Sequence, residues 1–244
     1  MRLLDWAGLN RCRISRATGI PRSTIRDLLS GSCPSRGSEA GRRRSPTRDD
    51  LLGEWNLDAY SYALGIYLGD GHIVIPSSGV PVLRISLDSG YPEIVESTRC
   101  ALSRLLPMNR ITPRKHPAHN LVEVKCSSKA LLELFPQHGP GRKHTRDVSL
   151  RPWQLKITRR YPRDLVRGLI HSDGCRFVAR QPKGDRFHVY ARYCFKNRSA
   201  DIMRIFCSHL DLLGINWTLS SWETAQIAQR ESVARLDEFV GPKR

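Results

Sequence analysis

Two nine-residue segments of this chain end in Asp-Gly, and their aspartates are the residues best suited to chemistry. The segment 63–71 contains Asp70, and the segment 166–174 contains Asp173. Each segment is otherwise largely apolar, which predicts two buried helices that end at the carboxylates. Two adjacent carboxylates repel one another, and each also meets the negative end of a helix dipole. A divalent cation would offset this cost, so both aspartates are predicted ligands of Mg²⁺ or another divalent cation.

Small residues recur four positions apart in both segments and predict how the two helices meet. They are Gly65 and Gly69 in the first segment and Gly168 and Ser172 in the second. On a helix this spacing makes a flat stripe where two backbones can approach closely, so packing of the stripes would bring the aspartates side by side. The alternative is purely structural: Asp-Gly ends each helix in a turn, with Gly71 and Gly174 in the left-handed conformation.

The charge of the chain favours a polyanionic partner. The 244 residues carry a formal net charge of +17, and 32 of the 40 basic residues are arginine. Arginine contacts phosphates and guanine edges bidentately, so double-stranded DNA is the predicted partner. A GC-rich genome also enriches arginine, so a merely soluble basic protein is the alternative. Aromatic residues make up only 7% of the chain, which disfavours a stacking platform for single-stranded RNA.

Composition and element order predict an α+β chain with an internal duplication. The apolar fraction of 40% is sufficient for a core, and the seven cysteines lack a Cys-x-x-Cys pair, which predicts a reduced, cytoplasmic protein. The expected location is the bacterial cytoplasm, in association with the nucleoid. No apolar run is long enough for a membrane span. Helix and strand patterns give the order αββαββα twice, over residues 55–145 and 146–244. Residues 1–31 predict three short helices, and 32–54 predict a flexible basic linker.

These paired segments and the element order around them resemble the LAGLIDADG homing endonucleases over roughly residues 55–244. The sixth motif position, acidic in the family name, is Leu68 in one copy and His171 in the other. The resemblance implies a monomeric, pseudo-symmetric saddle that binds double-stranded DNA and cuts both strands, with Asp70 and Asp173 holding the ions, usually Mg²⁺. A related bacterial regulator family keeps this fold without cutting, so a non-cleaving transcriptional regulator is the alternative function.

Further residues are predicted to contact DNA. The segment 14–26 resembles the helix-turn-helix of resolvase-like proteins, with Arg22, Ser23, Thr24 and Arg26 at the start of its recognition helix. In the second strand of each repeat, alternation places Arg84 and Ser86, and Arg192, Cys194 and Lys196, on a polar face that would lie in the major groove. That assignment matches Arg84 with Arg192 and Ser86 with Cys194. Lys125 is the predicted basic catalytic residue near the scissile phosphate, where it would stabilise developing charge.

Overall fold

The computed structural model describes residues 47–183, 186–241 and 243, together with Ile14, Ser15, Arg22 and Ile25. The chain divides into two compact units, Met1–Arg44 and Ser45–Arg244. In the first unit the four described residues are helical, with Ile14 and Ile25 buried and Arg22 exposed. The predicted positions of Ser23, Thr24 and Arg26 in a recognition helix lie outside the described residues.

The second unit begins with the short helix α1 (Arg48–Leu51), inside the segment predicted to be linker. Thr47 and Asp50 form a capping box, in which each side chain accepts a hydrogen bond from the backbone N–H of the other. Leu51 is buried in the core, which anchors this helix to the rest of the unit. The segment 32–54 therefore ends in ordered structure rather than as a flexible chain.

The unit contains the order αββαββα twice, as predicted. The first repeat comprises α2 (Leu57–Asp70), β1 (Gly71–Val74), β2 (Val82–Asp88), α3 (Pro92–Leu105), β3 (Thr112–Lys115), β4 (Leu121–Ser127) and α4 (Leu131–Leu134). After the connecting helix α5 (Pro152–Arg160), the second comprises α6 (Pro162–Asp173), β5 (Gly174–Lys183), β6 (Arg186–Lys196), α7 (Ala200–Leu212), β7 (Thr218–Ser221), β8 (Thr224–Ile227) and α8 (Arg230–Asp237). The sequence patterns did not indicate α5.

Each repeat folds into a four-stranded antiparallel sheet, with the strand orders β1-β2-β4-β3 and β5-β6-β8-β7. The two sheets differ in reach, because the first hairpin has strands of 4 and 7 residues and the second has strands of 10 and 11. One face of each sheet packs on helices: Leu83, Ile85 and Leu87 of β2 and Tyr193 and Phe195 of β6 are buried. The alternation predicted for the second strands is confirmed, because Arg84 and Ser86 of β2 and Arg192, Cys194 and Lys196 of β6 are not buried and alternate with these core residues.

The predicted match between the two second strands is wrong by two residues. Gly71 pairs with Ile85 in the first hairpin, and Gly174 pairs with Phe195 in the second. Cys194, and not Arg192, is therefore the counterpart of Arg84, and Lys196 is the counterpart of Ser86. A shift of two residues leaves period-two alternation unchanged, so the sequence pattern alone could not fix this register.

Within the described ranges, no helix combines the length and the apolar character needed to cross a bilayer.

Candidate active site

Helices α2 and α6 cross at their glycines with the two backbones in direct contact. A Cβ atom built on Gly65 would lie 2.5 Å from the carbonyl oxygen of Leu165 and 2.9 Å from the backbone nitrogen of Leu169. A Cβ atom on Gly168 would clash with the carbonyl oxygen of Tyr62 and lie 3.0 Å from the Cα of Gly65. These neighbours are backbone atoms, so a side chain at either glycine would force the helices apart.

One helical turn after Gly65 and Gly168, the crossing brings the two motif aspartates close together. A Cβ atom on Gly69 would overlap the side chain of Ser172 and lie 2.8 Å from Oδ2 of Asp173. The carboxylate of Asp173 therefore reaches across the crossing to the residue that precedes Asp70. The four small residues predicted to lie between the helices are all found in this contact.

The two aspartates line one cleft of about 800 Å³, together with Lys143 and Asn197. The Nδ2 of Asn197 donates a hydrogen bond of 2.7 Å to Oδ2 of Asp173, which fixes the orientation of that carboxylate. On its other side Asp70 borders a smaller cleft of about 290 Å³, shared with Ser172 and Lys243. Asp70 is thus accessible from two directions, whereas the orientation of Asp173 is set by Asn197.

A lysine from each repeat closes the end of the helix that carries an aspartate. The Nζ of Lys143 donates to the carbonyl oxygens of Tyr67 at 2.5 Å and Gly69 at 2.8 Å. The Nζ of Lys243 donates to the carbonyl oxygens of Ser172 at 2.9 Å and Gly174 at 3.0 Å. Both ammonium groups satisfy orphan carbonyls and oppose the negative ends of the helix dipoles.

Burial and mutual repulsion shift the titration of the whole cluster. Burial, followed by the charge of Asp173, raises the pKa of Asp70 from 3.8 to about 7, against the opposing charges of the two lysines. The pKa of Asp173 is also raised by burial, against its hydrogen bond from Asn197 and the same lysine charges. Burial lowers the pKa of Lys143 to about 8, while both aspartates act to raise it. Carboxylates held in this way are costly to ionise without a further cation.

The donor atoms of the cluster suit a hard divalent cation. The two carboxylates supply oxygen ligands only, which Mg²⁺ prefers. In the part of the chain that the structure describes, no group of three or more His, Cys, Asp or Glu side chains is arranged around a common point. A cation here would have two protein carboxylates as its anionic ligands, leaving positions for water and phosphate, as is usual for Mg²⁺.

Lys125, predicted from the sequence to lie near the scissile phosphate, is separate from the aspartate cluster. Its Nζ forms an ion pair of 2.7 Å with Glu123, and the side chain lines a different groove on the open face of the first sheet. The charges of Lys143 and Lys243 act on both aspartates, and Asn197 is a neutral donor to Asp173. The sequence contains a signal for the lysines, since each is preceded two residues earlier by a glycine in a Gly-Pro-rich segment at the end of a repeat.

The residues of β2 and β6 that were predicted to contact DNA lie on the open faces of the sheets with different partners. Arg84 lies 3.6 Å from Glu123, and Lys196 lies 3.0 Å from Glu223. The guanidinium of Arg192 instead packs against two aromatic rings, 5.9 Å from the ring centre of Phe177 and 5.3 Å from that of Tyr190. Ser86 lies near Arg84, and Cys194 pairs across the strands with Cys175.

The glycines after the aspartates do not adopt the left-handed conformation of the structural alternative. Gly71 has φ −90° and Gly174 has φ −98°, so each chain passes directly from helix into an extended strand. A Cβ atom at either position would lie 2.7 Å from a Cα atom of the preceding helical turn, in Tyr67 or Ile170. Glycine is required here by close packing of the first strand residue on its own helix.

Comparison with known proteins places this fold. No family model matches the sequence, and no curated protein matches it. A structure of mesophilic variants of the homing endonuclease I-DmoI superposes with a TM-score of 0.51 at 15% identity, covering 75% of this chain and 96% of that one. A single-substitution variant of I-DmoI, in complex with its target DNA in the presence of Mg, superposes with a TM-score of 0.51 at 16% identity, covering 77% and 98%.

The chain therefore has the fold of the LAGLIDADG homing endonucleases, with both repeats in one polypeptide. At these identities the likeness concerns the backbone arrangement alone.

Proposed function

We propose that this protein is a site-specific endonuclease that hydrolyses both strands of duplex DNA with a divalent cation, most simply Mg²⁺. The observation that carries the proposal is the pairing of Asp70 and Asp173 at a backbone-to-backbone helix crossing, with a lysine from each repeat beside them. A fold has no structural need for two half-buried carboxylates whose ionisation it opposes. The target DNA and Mg present with the I-DmoI variant of the same fold support the same assignment.

The open faces of the two sheets provide the surface for DNA. They carry Arg84 and Arg192, and the whole chain has a formal net charge of +17. Arginine side chains on such a surface suit contacts with phosphates and guanine bases. The major groove of B-DNA is wide enough to admit a two-stranded ribbon, so each hairpin would read one half of an extended target. Since both repeats lie in one chain, the protein would act as a monomer.

The mechanism follows from the charges around the cleft. Asp70 and Asp173 would hold the cation, which when bound supplies an activated water and stabilises the leaving oxygen. Asn197 keeps the Asp173 carboxylate in place by its hydrogen bond. The Nζ atoms of Lys143 and Lys243 would place positive charge beside a scissile phosphate bound at the aspartates, where it would stabilise the charge that builds up in the transition state. Each repeat contributes one carboxylate and one ammonium, which suits cleavage of two strands.

The test is cleavage of a randomised duplex library by purified protein, with Mg²⁺ or with EDTA, in which cut ends and bound duplexes are sequenced separately. We expect Mg²⁺-dependent cut ends that are lost in Asp70→Asn and in Asp173→Asn, with binding retained. Asp164→Asn is the matched control, because Asp164 lies on the same helix as Asp173 but lines another pocket and also has a raised pKa. Sequence-specific binding that is unchanged by EDTA, without cut ends, would identify a DNA-binding protein that does not cleave.

A further inference from the structure

His171 is buried at the junction of three segments and makes two hydrogen bonds there. It occupies the sixth position of the second motif and is only 2% exposed. Its Nδ1 lies 2.9 Å from the hydroxyl of Tyr62, on the helix of the first repeat, and its Nε2 lies 2.6 Å from the carbonyl oxygen of Val240. A carbonyl oxygen only accepts, so Nε2 carries the hydrogen and the Tyr62 hydroxyl donates to Nδ1.

The carbonyl that His171 binds belongs to the segment that carries Lys243. Val240 is fully buried, and Gly241 then turns the chain with φ +77°, a conformation that favours glycine. Three residues after Val240, the Nζ of Lys243 reaches the carbonyl oxygens of Ser172 and Gly174. The segment 240–243 is thus attached at both ends to the last turn of α6.

The corresponding position of the first motif has a different chemistry. Leu68 stands there, buried and without a polar side-chain atom. Lys143 of the first repeat lies instead in a 3-10 turn, Lys143–Thr145, which is closed by a hydrogen bond of 2.8 Å from the hydroxyl of Thr145 to the carbonyl of Arg142. The two lysines therefore reach equivalent places by different means, and only the segment of Lys243 depends on a buried histidine.

We propose that His171 is a positioning residue: by donating to Val240, it sets the place of the Lys243 ammonium beside Asp70 and Asp173. Tyr62 holds the imidazole in the tautomer that allows this, so the helix of one repeat controls a basic group supplied by the other. The inference rests on the proposed nuclease function for its catalytic consequence. Its structural part, the placement of Lys243, is independent of that function.

The experiment replaces His171 with leucine, the residue of the first motif, and with glutamine, which keeps a donor. Single-turnover cleavage and DNA affinity are measured for each variant, alone and combined with Lys243→Ala. We expect His171→Leu to slow cleavage by about 10- to 100-fold, the scale of a displacement of roughly 1 Å, with affinity changed by less than about 3-fold. His171→Gln should recover most of the rate. In the Lys243→Ala background, His171→Leu should cause no further loss.

A second measurement is independent of catalysis. Lysine acetylation followed by mass spectrometry compares the labelling rates of Lys243 and Lys143 in the same molecule. His171→Leu and the milder Tyr62→Phe should each raise the labelling of Lys243 and leave that of Lys143 unchanged. The proposal would be overturned if the labelling rate of Lys243 in the variants equalled that in the wild type. It would also be overturned if the losses of cleavage caused by His171→Leu and Lys243→Ala multiplied when the two changes were combined. If the wild type cuts no duplex, the nuclease assignment fails while the labelling still decides the role of His171.

Discussion

Adding one methyl group at Gly65 tests whether the helix crossing sets the spacing of the aspartates. The new Cβ atom would lie 2.5 Å from the carbonyl oxygen of Leu165, which is about 1 Å short of an ordinary contact. Because its neighbours are backbone atoms, α2 and α6 must separate by most of that distance. We expect overpacking to cost about 1–3 kcal/mol, offset by about 1 kcal/mol from the higher helix propensity of alanine.

The net loss of about 1 kcal/mol should lower the melting temperature by roughly 2–4 °C for a unit of this size. Cleavage should fall by about 100-fold, because a misplacement near 1 Å costs that much in an oriented site. DNA affinity should change little, since the open faces of the sheets are turned away from the helices. Differential scanning fluorimetry, single-turnover cleavage and a binding titration measure the three quantities.

A rescue experiment sharpens this prediction. At Gly69 an added Cβ atom meets the side chains of Ser172 and Asp173 and not the backbone, so Ser172→Gly should relieve part of the defect of Gly69→Ala. Gly65→Ala should not be relieved by that second change. Wild-type cleavage by Gly65→Ala, or equal rescue of both alanine variants, would refute the claim that backbone contact fixes the carboxylates.

Three further outcomes are expected. The fold raises the pKa of Asp70 from 3.8 to about 7. As the pH rises from 4 to 7, the carboxyl group therefore loses its proton in the unfolded chain but keeps it in the folded protein, and the free energy of unfolding decreases. Asp70→Asn should remove this loss, which amounts to at most about 4 kcal/mol, in urea melts at pH 4 and pH 8; parallel curves for both proteins would contradict it. Lys143→Ala should abolish most cleavage, whereas Lys125→Ala should keep it. The reverse order of rates would support Lys125 as the basic catalytic residue, as the sequence predicted. Diamide should join Cys175 to Cys194, which are cross-strand partners, with the loss of two hydrogens in the mass of their peptides; labelling of both thiols after treatment would contradict this expectation.

The sequence predicted the features that depend on local periodicity and on repetition. The order αββαββα occurs twice as predicted, and the duplicated small residues of α2 and α6 lie in one helix contact because their spacing is a property of the helix itself. The basic residues of the site were harder to place. Lys143 reaches Gly69 from 74 residues away, and the glycine that precedes both lysines by two residues does not indicate which groups those lysines contact.

Period-two patterns have the same weakness in the sheets. They assigned Arg84 and Arg192 to the open faces, yet gave the wrong correspondence between the strands, since a shift of two residues preserves the faces. The interpretation of Gly71 and Gly174 as left-handed also failed. Their role depends on the path of the strand against its own helix, which is a tertiary property.

The unequal hairpins have a consequence for the length of DNA that each half would cover. β5 has six residues more than β1, which extends the second sheet by about 20 Å at roughly 3.3 Å per residue. That length corresponds to about six base pairs at roughly 3.4 Å each. The stretch of DNA that the protein protects should therefore be asymmetric about the cleavage site, with more base pairs protected on the side of Asp173. Shortening the target DNA on that side should lower the affinity before shortening on the other side does.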